Sequence, residues 1–143
     1  MNKGFTLVEL IVVIVVLGLV ALVAFPAIVK VINDSKDSAY EDQISMIEKA
    51  AKEWGVSNPS KLPDVNITDS NCTLAKTDSQ VTSVSINTLI SSGFISDDAL
   101  KNPKNNKNML GDVKITFECS KDASGKYMKN SGQYVYSYDR ALD

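Results

Sequence analysis

Residues 4–29 read GFTLVELIVVIVVLGLVALVAFPAIV, and their reading decides the fold. After Glu9, residues 10–29 carry no charge at all. Twenty such residues span about 30 Å as a helix, the thickness of a bilayer's hydrocarbon core. Glu9 is the exception, a carboxylate at the edge of an otherwise apolar run. A charge at the centre of a span costs about 2.5–3.5 kcal/mol on insertion scales, so an acid here calls for a partner.

The totals exclude several classes of function. The chain has 143 residues and a net charge of −2, which gives no electrostatic case for nucleic acid or an anionic surface. It has no histidine, which removes Ser-His-Asp and Cys-His catalysis and the commonest metal ligand. The acidic pairs Glu41-Asp42 and Asp97-Asp98 are sequence neighbours without the spacing of a general acid/base pair or a calcium loop. Neither a cofactor nor a metal is implied. Nearly all the charge lies beyond Val29, so a polar module follows an apolar helix.

The apolar run suits a membrane anchor better than a cleaved secretory signal. It exceeds the ~7–15 residues of a signal's apolar region, and Ala21-Leu22-Val23-Ala24 is a poor small-x-small site. Gly18 weakens the helix, and Pro26 removes a donor and crowds the carbonyl of Leu22, which predicts a kink.

The order Gly4, Phe5-Thr6-Leu7-Val8-Glu9 and a long apolar helix, preceded by Lys3, resembles the processing segment of the type IV pilin superfamily. That superfamily includes pilins and the pseudopilins of secretion and DNA-uptake machines. The resemblance implies a prepilin whose leader, residues 1–4, is cut between Gly4 and Phe5 by a membrane peptidase. The same enzyme would N-methylate Phe5. Residues 5–29 would anchor the precursor in the cytoplasmic membrane, amino terminus inside, and later form the filament core. Glu9 would pair with the Phe5 ammonium of a neighbouring subunit. Gly18 and Pro26 would let the helix loosen. The implied partners are other pilin subunits, the peptidase and methyltransferase, and a membrane protein of the assembly platform.

Residues 30–143 read as the soluble head of an α+β, pilin-like fold. Tyr40, Ile44, Ile47, Ala51 and Trp54 recur at steps of 4, 3, 4 and 3, one stripe of a helix continuing from the span. Gly55 is expected to end that helix, near residue 54. Residues 55–84 read as a surface loop, with a short strand near Val65 to Ile67. They contain the sequons Asn66-Ile67-Thr68 and Asn71-Cys72-Thr73, whose chance occurrence is common. Residues 85–93 predict a short helix with Ser85 as N-cap and Gly93 at its end. Residues 101–108 hold three lysines without interleaved aromatics, the pattern of a solvated loop. Val113, Ile115, Phe117 and Cys119 alternate along one strand face, Asp122 to Gly125 make a turn, and Tyr134 to Tyr138 make the last strand. Tyr127 belongs to an intervening strand or a strand end. The 85–143 region thus predicts an antiparallel sheet of three or four strands covering the helix stripe.

Cys72 and Cys119 are either two buried thiols or a disulfide tying the loop to the sheet. A bond across that separation would contribute about 4 kcal/mol by chain entropy and would require an oxidising compartment. The functional expectation is a structural subunit of a type IV pilus. A pseudopilin, and a membrane-anchored binding module that never polymerises, are the alternatives. Adhesion, motility, secretion and DNA uptake all stay open at this stage.

Overall fold

The computed structural model describes residues 4–75, 77–96 and 100–140. Its first element is α1, Leu7–Ser57, a 51-residue helix that runs through Pro26. Two compact units divide between Ala39 and Tyr40. In the first, every large apolar side chain from Phe5 to Ile32 is exposed. An 18-residue stretch of α1 has mean hydropathy 3.2 and no buried residue, so the helix is long and apolar enough to cross a membrane.

In the second unit the stripe predicted for α1 is the floor of the core. Tyr40, Ile44, Ile47, Ala51 and Trp54 are all buried, joined by Ala50. The cover is an antiparallel sheet of three strands, β3 (Ser83–Ser85), β4 (Asp112–Lys121) and β5 (Tyr127–Tyr138), in the order β3-β4-β5. Val113 and Ile115 of β4 point inward and are buried, as the strict alternation predicts. Tyr127 opens β5 itself, paired with Lys121 across the turn. That turn is closed by Asp122, whose Oδ1 accepts from the Ser124 amide, the Ser124 hydroxyl and the Lys126 amide. These bonds, the Ser124 hydroxyl foremost, hold the Asp122 carboxyl below its ordinary pKa.

Between β3 and β4 lies α2, Ile86–Ser91, capped by the Ser85 hydroxyl, which accepts from the Thr88 amide. Its end is a Schellman turn. The Phe94 amide donates to the Leu89 carbonyl and the Gly93 amide to Ile90, with Gly93 at φ +78°. This turn sets Phe94 and Ile95 against the core. The lysine loop closes through a bridge between Lys101 and Asn108. Buried Asn102 organises it, its Oδ1 accepting from the Lys104 amide at 2.9 Å.

Two readings of the sequence change here. The helix does not stop at Gly55. It ends at Ser57, where the Asn58 amide side chain donates to the Trp54 carbonyl at 2.9 Å and Pro59 cannot continue the helix. Gly55 is instead a contact glycine: a Cβ there would collide with the Tyr136 hydroxyl and lie 2.9 Å from its Cζ. Tyr127 is a strand end, the second of its two expected placements, since it opens the last strand. The supposed loop contains β3 at its end and, earlier, a two-stranded hairpin, β1 (Asp64–Thr68) and β2 (Asn71–Ala75).

The hairpin is held from outside. Val65, Ile67, Cys72 and Leu74 are only half-buried, and its other positions are exposed. Cys72 is bonded to Cys119 of β4, with their Cα atoms 6.4 Å apart. The Tyr134 hydroxyl donates to the Pro63 carbonyl at 2.5 Å, and the Tyr127 amide to Asp69 at 3.2 Å. Phe117 meets the Tyr134 ring edge-on, with centroids 5.0 Å apart.

Two outcomes are expected. Gly55→Ala lowers the stability of the head by ~1–3 kcal/mol, as overpacking does, and Tyr136→Phe in the same chain recovers part of the loss; thermal melts in detergent measure both. Reducing Cys72–Cys119 raises amide hydrogen exchange across the hairpin while Ile47 and Ile115 stay protected; loss of protection throughout the head would show that the bond holds the whole core.

Candidate processing and assembly segment

Gly4, Phe5 and Thr6 precede the helix without regular structure, and all three are exposed. The Gly4–Phe5 peptide bond is therefore open to a macromolecular reagent. A Cβ on Gly4 would meet nothing within 4 Å, so no packing inside this molecule asks for glycine there. Residues 1–3 of the expected leader, Lys3 included, lie outside the described residues, as do Asp97 and Asp98.

Thr6 is the N-cap of α1. Its carbonyl accepts the first helical bond, from the Leu10 amide at 3.3 Å. Its hydroxyl accepts from the Glu9 amide at 3.2 Å and donates to Glu9 Oε2 at 3.2 Å. The Thr6 amide also donates to Glu9 Oε2, at 3.3 Å. This is a capping box, in which residues N-cap and N3 satisfy each other's orphan amides. The carboxylate also sits at the positive end of the helix dipole. Sequence reasoning took Glu9 as a charge in search of a partner, a neighbour's ammonium or, alternatively, its own amino terminus or the helix dipole, and not as a cap. The Thr-x-x-Glu spacing of Thr6 and Glu9 was the signal that identifies the cap. Each hydrogen bond described for the carboxylate falls on Oε2.

The other expected residues are dispersed. Gly18 and Pro26 lie within α1, and a Cβ on Gly18 would meet nothing within 4 Å. Pro26 has no amide to give, so the helix loses one bond at the Leu22 carbonyl. Cys72 and Cys119 form their disulfide in the second unit. Among the described residues, no group of three or more His, Cys, Asp or Glu side chains is arranged to hold a metal. Two surface grooves are lined by mixed lysines, acids and apolar side chains.

A test separates the cap from any other use of Glu9. Thr6→Val removes the hydroxyl and leaves the carboxylate. It is expected to cost the first turn of α1 about 1 kcal/mol, seen as faster amide exchange at Glu9 and Leu10 in micelles. Unchanged exchange there would mean that the cap contributes nothing.

Compared with known proteins, residues 1–25 match the family described as the prokaryotic N-terminal methylation motif. No curated protein and no solved structure matches the chain significantly. The motif sits where the geometry puts an exposed Gly4–Phe5 bond, a capped helix start and an apolar span. With the α+β head beyond it, a long helix packed against small antiparallel sheets, it supports a likeness to type IV pilin-like prepilins.

Proposed function

We propose that this chain is a structural subunit of a type IV pilus. It enters the cytoplasmic membrane by residues 5–29, is cut after Gly4, is N-methylated at Phe5 and joins a helical filament through α1. The observation that carries the proposal is the pairing of a methylation motif with an apolar helix that its own chain leaves uncovered. A subunit of a filament finds that cover in its neighbours. A permanent anchor needs lipid alone and gives no role to Gly4 or Phe5.

The electrostatics support an intermolecular role for Glu9. Cleavage creates an ammonium on Phe5, one residue before the N-cap, at the positive end of the helix dipole, where a cation is disfavoured. Methylation keeps that charge. A carboxylate about 4 Å from such a cation attracts it by about 4 kcal/mol at an effective dielectric of 20. Glu9 of the same chain already serves the cap through Oε2. Its Oε1 is available to the ammonium of an adjacent subunit. Pairing offsets the cost of a carboxylate in hydrocarbon, so the charge penalises a lone subunit and favours an assembled one.

The exposed glycine at position 4 fits recognition by a peptidase, since nothing within the molecule requires it. Gly18 and Pro26 would loosen the span when lipid is exchanged for protein. The head contributes a wall of sheet, hairpin and loops, and no catalytic role is assigned to it.

Mass spectrometry of the mature chain tests the processing: it should begin at N-methyl-Phe5, and a chain beginning at Met1 would support a plain anchor. Glu9→Ala should abolish filaments and leave membrane insertion intact. Electron microscopy of a strain lacking the gene decides between pilus and pseudopilin. Loss of surface filaments supports the pilus; a secretion or DNA-uptake defect with filaments unchanged supports the pseudopilin.

A further inference from the structure

The second half of α1 carries a second stripe beside the one that forms the core. Asp42, Met46, Lys49, Glu53 and Val56 recur at steps of 4, 3, 4 and 3, and all five are exposed. With Phe94, held by the Schellman turn, they line an open groove, about 530 Å³ at its Val56 end. Met46 is 38% and Val56 75% exposed, a high apolar content for a face that also presents Lys49 and Lys52.

The same spacing occurs earlier in the helix, at Ala27, Val31, Asp34, Ser38 and Glu41. Each of these lies 15 residues before its counterpart in the groove stripe. If two copies of the helix lie parallel and staggered by that amount, about 22 Å, the two stripes meet level by level. Met46 then faces Val31, Lys49 faces Asp34, and Lys52 faces Asp37. No like-charged pair falls at one level: Asp42 faces Ala27, Glu53 faces Ser38 and Val56 faces Glu41. A parallel pairing without stagger would set Lys49 against Lys49 and Glu53 against Glu53, which repel.

We propose that this groove docks the 27–41 segment of α1 from a second copy of this chain, parallel and offset by about 15 residues. Charge complementarity selects the stagger, and Met46, Phe94 and Val56 supply apolar cover beside it. Groove and segment are different surfaces of one molecule, so the contact is heterologous. Such contacts repeat from copy to copy and build an open helical array where the rotation does not close. The inference rests on the filament reading above and gives that reading a register.

The test uses the full-length chain in its own pilus-forming strain. Lys49→Glu/Lys52→Glu and Asp34→Lys/Asp37→Lys are made separately and then combined in one chain. Disulfide formation and a thermal melt in detergent confirm that each variant folds. Each reversed pair should lower the yield of sheared filaments at least about tenfold, since two attractive pairs become repulsive. The combined variant, with all four charges exchanged, should restore filaments to near the wild-type yield. A reversed pair that assembles like wild type would overturn the contact, and so would a folded combined variant that stays unassembled. If the wild-type chain itself forms no filament, the filament reading fails and takes this contact with it.

Discussion

The uncovered apolar half of α1 is the constraint on which the rest depends. Burial of apolar surface is the dominant favourable term in folding and association, and this chain leaves its most apolar residues out of its own core. The head beyond Ala39 closes a separate core on the stripe from Tyr40 to Trp54. The chain thus has one helix in two solvents. The first half must be solvated by lipid or by other helices, and the second half by water on one face and by a sheet on the other. Polar residues from Asn33 to Ser38 mark the change, and all of them are exposed.

The small head needs reinforcement beyond that core, and tyrosines of β5 provide much of it. Tyr138 donates its hydroxyl to the Leu110 carbonyl at 2.6 Å and its amide to Glu48 of α1 at 3.0 Å. Tyr136 lies against Gly55 of α1, and Tyr134 reaches Pro63 beside the hairpin. Burial raises the phenol pKa values of Tyr134 and Tyr136, as desolvation disfavours their charged forms. One strand therefore bonds or touches the helix, the loop before β4 and the hairpin's approach. Arg140 extends the same logic to the exposed side. Its guanidinium grips Glu41 of α1 with two bonds, at 3.0 and 2.8 Å.

What the sequence made legible follows from how local each signal is. The α1 stripe, the alternation along β4, the Ser85 cap and the Asp122 turn depend on neighbours within a few residues, and all are found where the pattern places them. The hairpin's first strand was legible near Val65 to Ile67, but its partner β2 was not, because Asp, Asn and Thr dominate the outward positions and Asp69-Ser70 is a weak turn signal. Its pairing is secured by Cys119, far away in sequence. Gly55 misled because a glycine after an apolar stripe looks the same whether it ends a helix or admits a ring. Only the position of Tyr136 decides. Thr6 and Glu9 were the reverse case: their signal was local, and attention to the cost of the charge hid its role as a cap.

That role alters how the charge at Glu9 should be understood. A carboxylate that lacked any partner in the lone subunit would be costly in hydrocarbon. Glu9 instead accepts from the Thr6 amide and hydroxyl within its own chain. The cap also fixes the carboxylate at the start of α1, within one turn of Phe5, which the proposed cleavage would make the new terminus. Under the proposed assembly, an incoming ammonium would meet a group already oriented by the cap. Preorganisation of this kind lowers the cost of forming the pair without adding to its attraction. On that proposal, the same few atoms that begin the helix would also prepare it for a second partner.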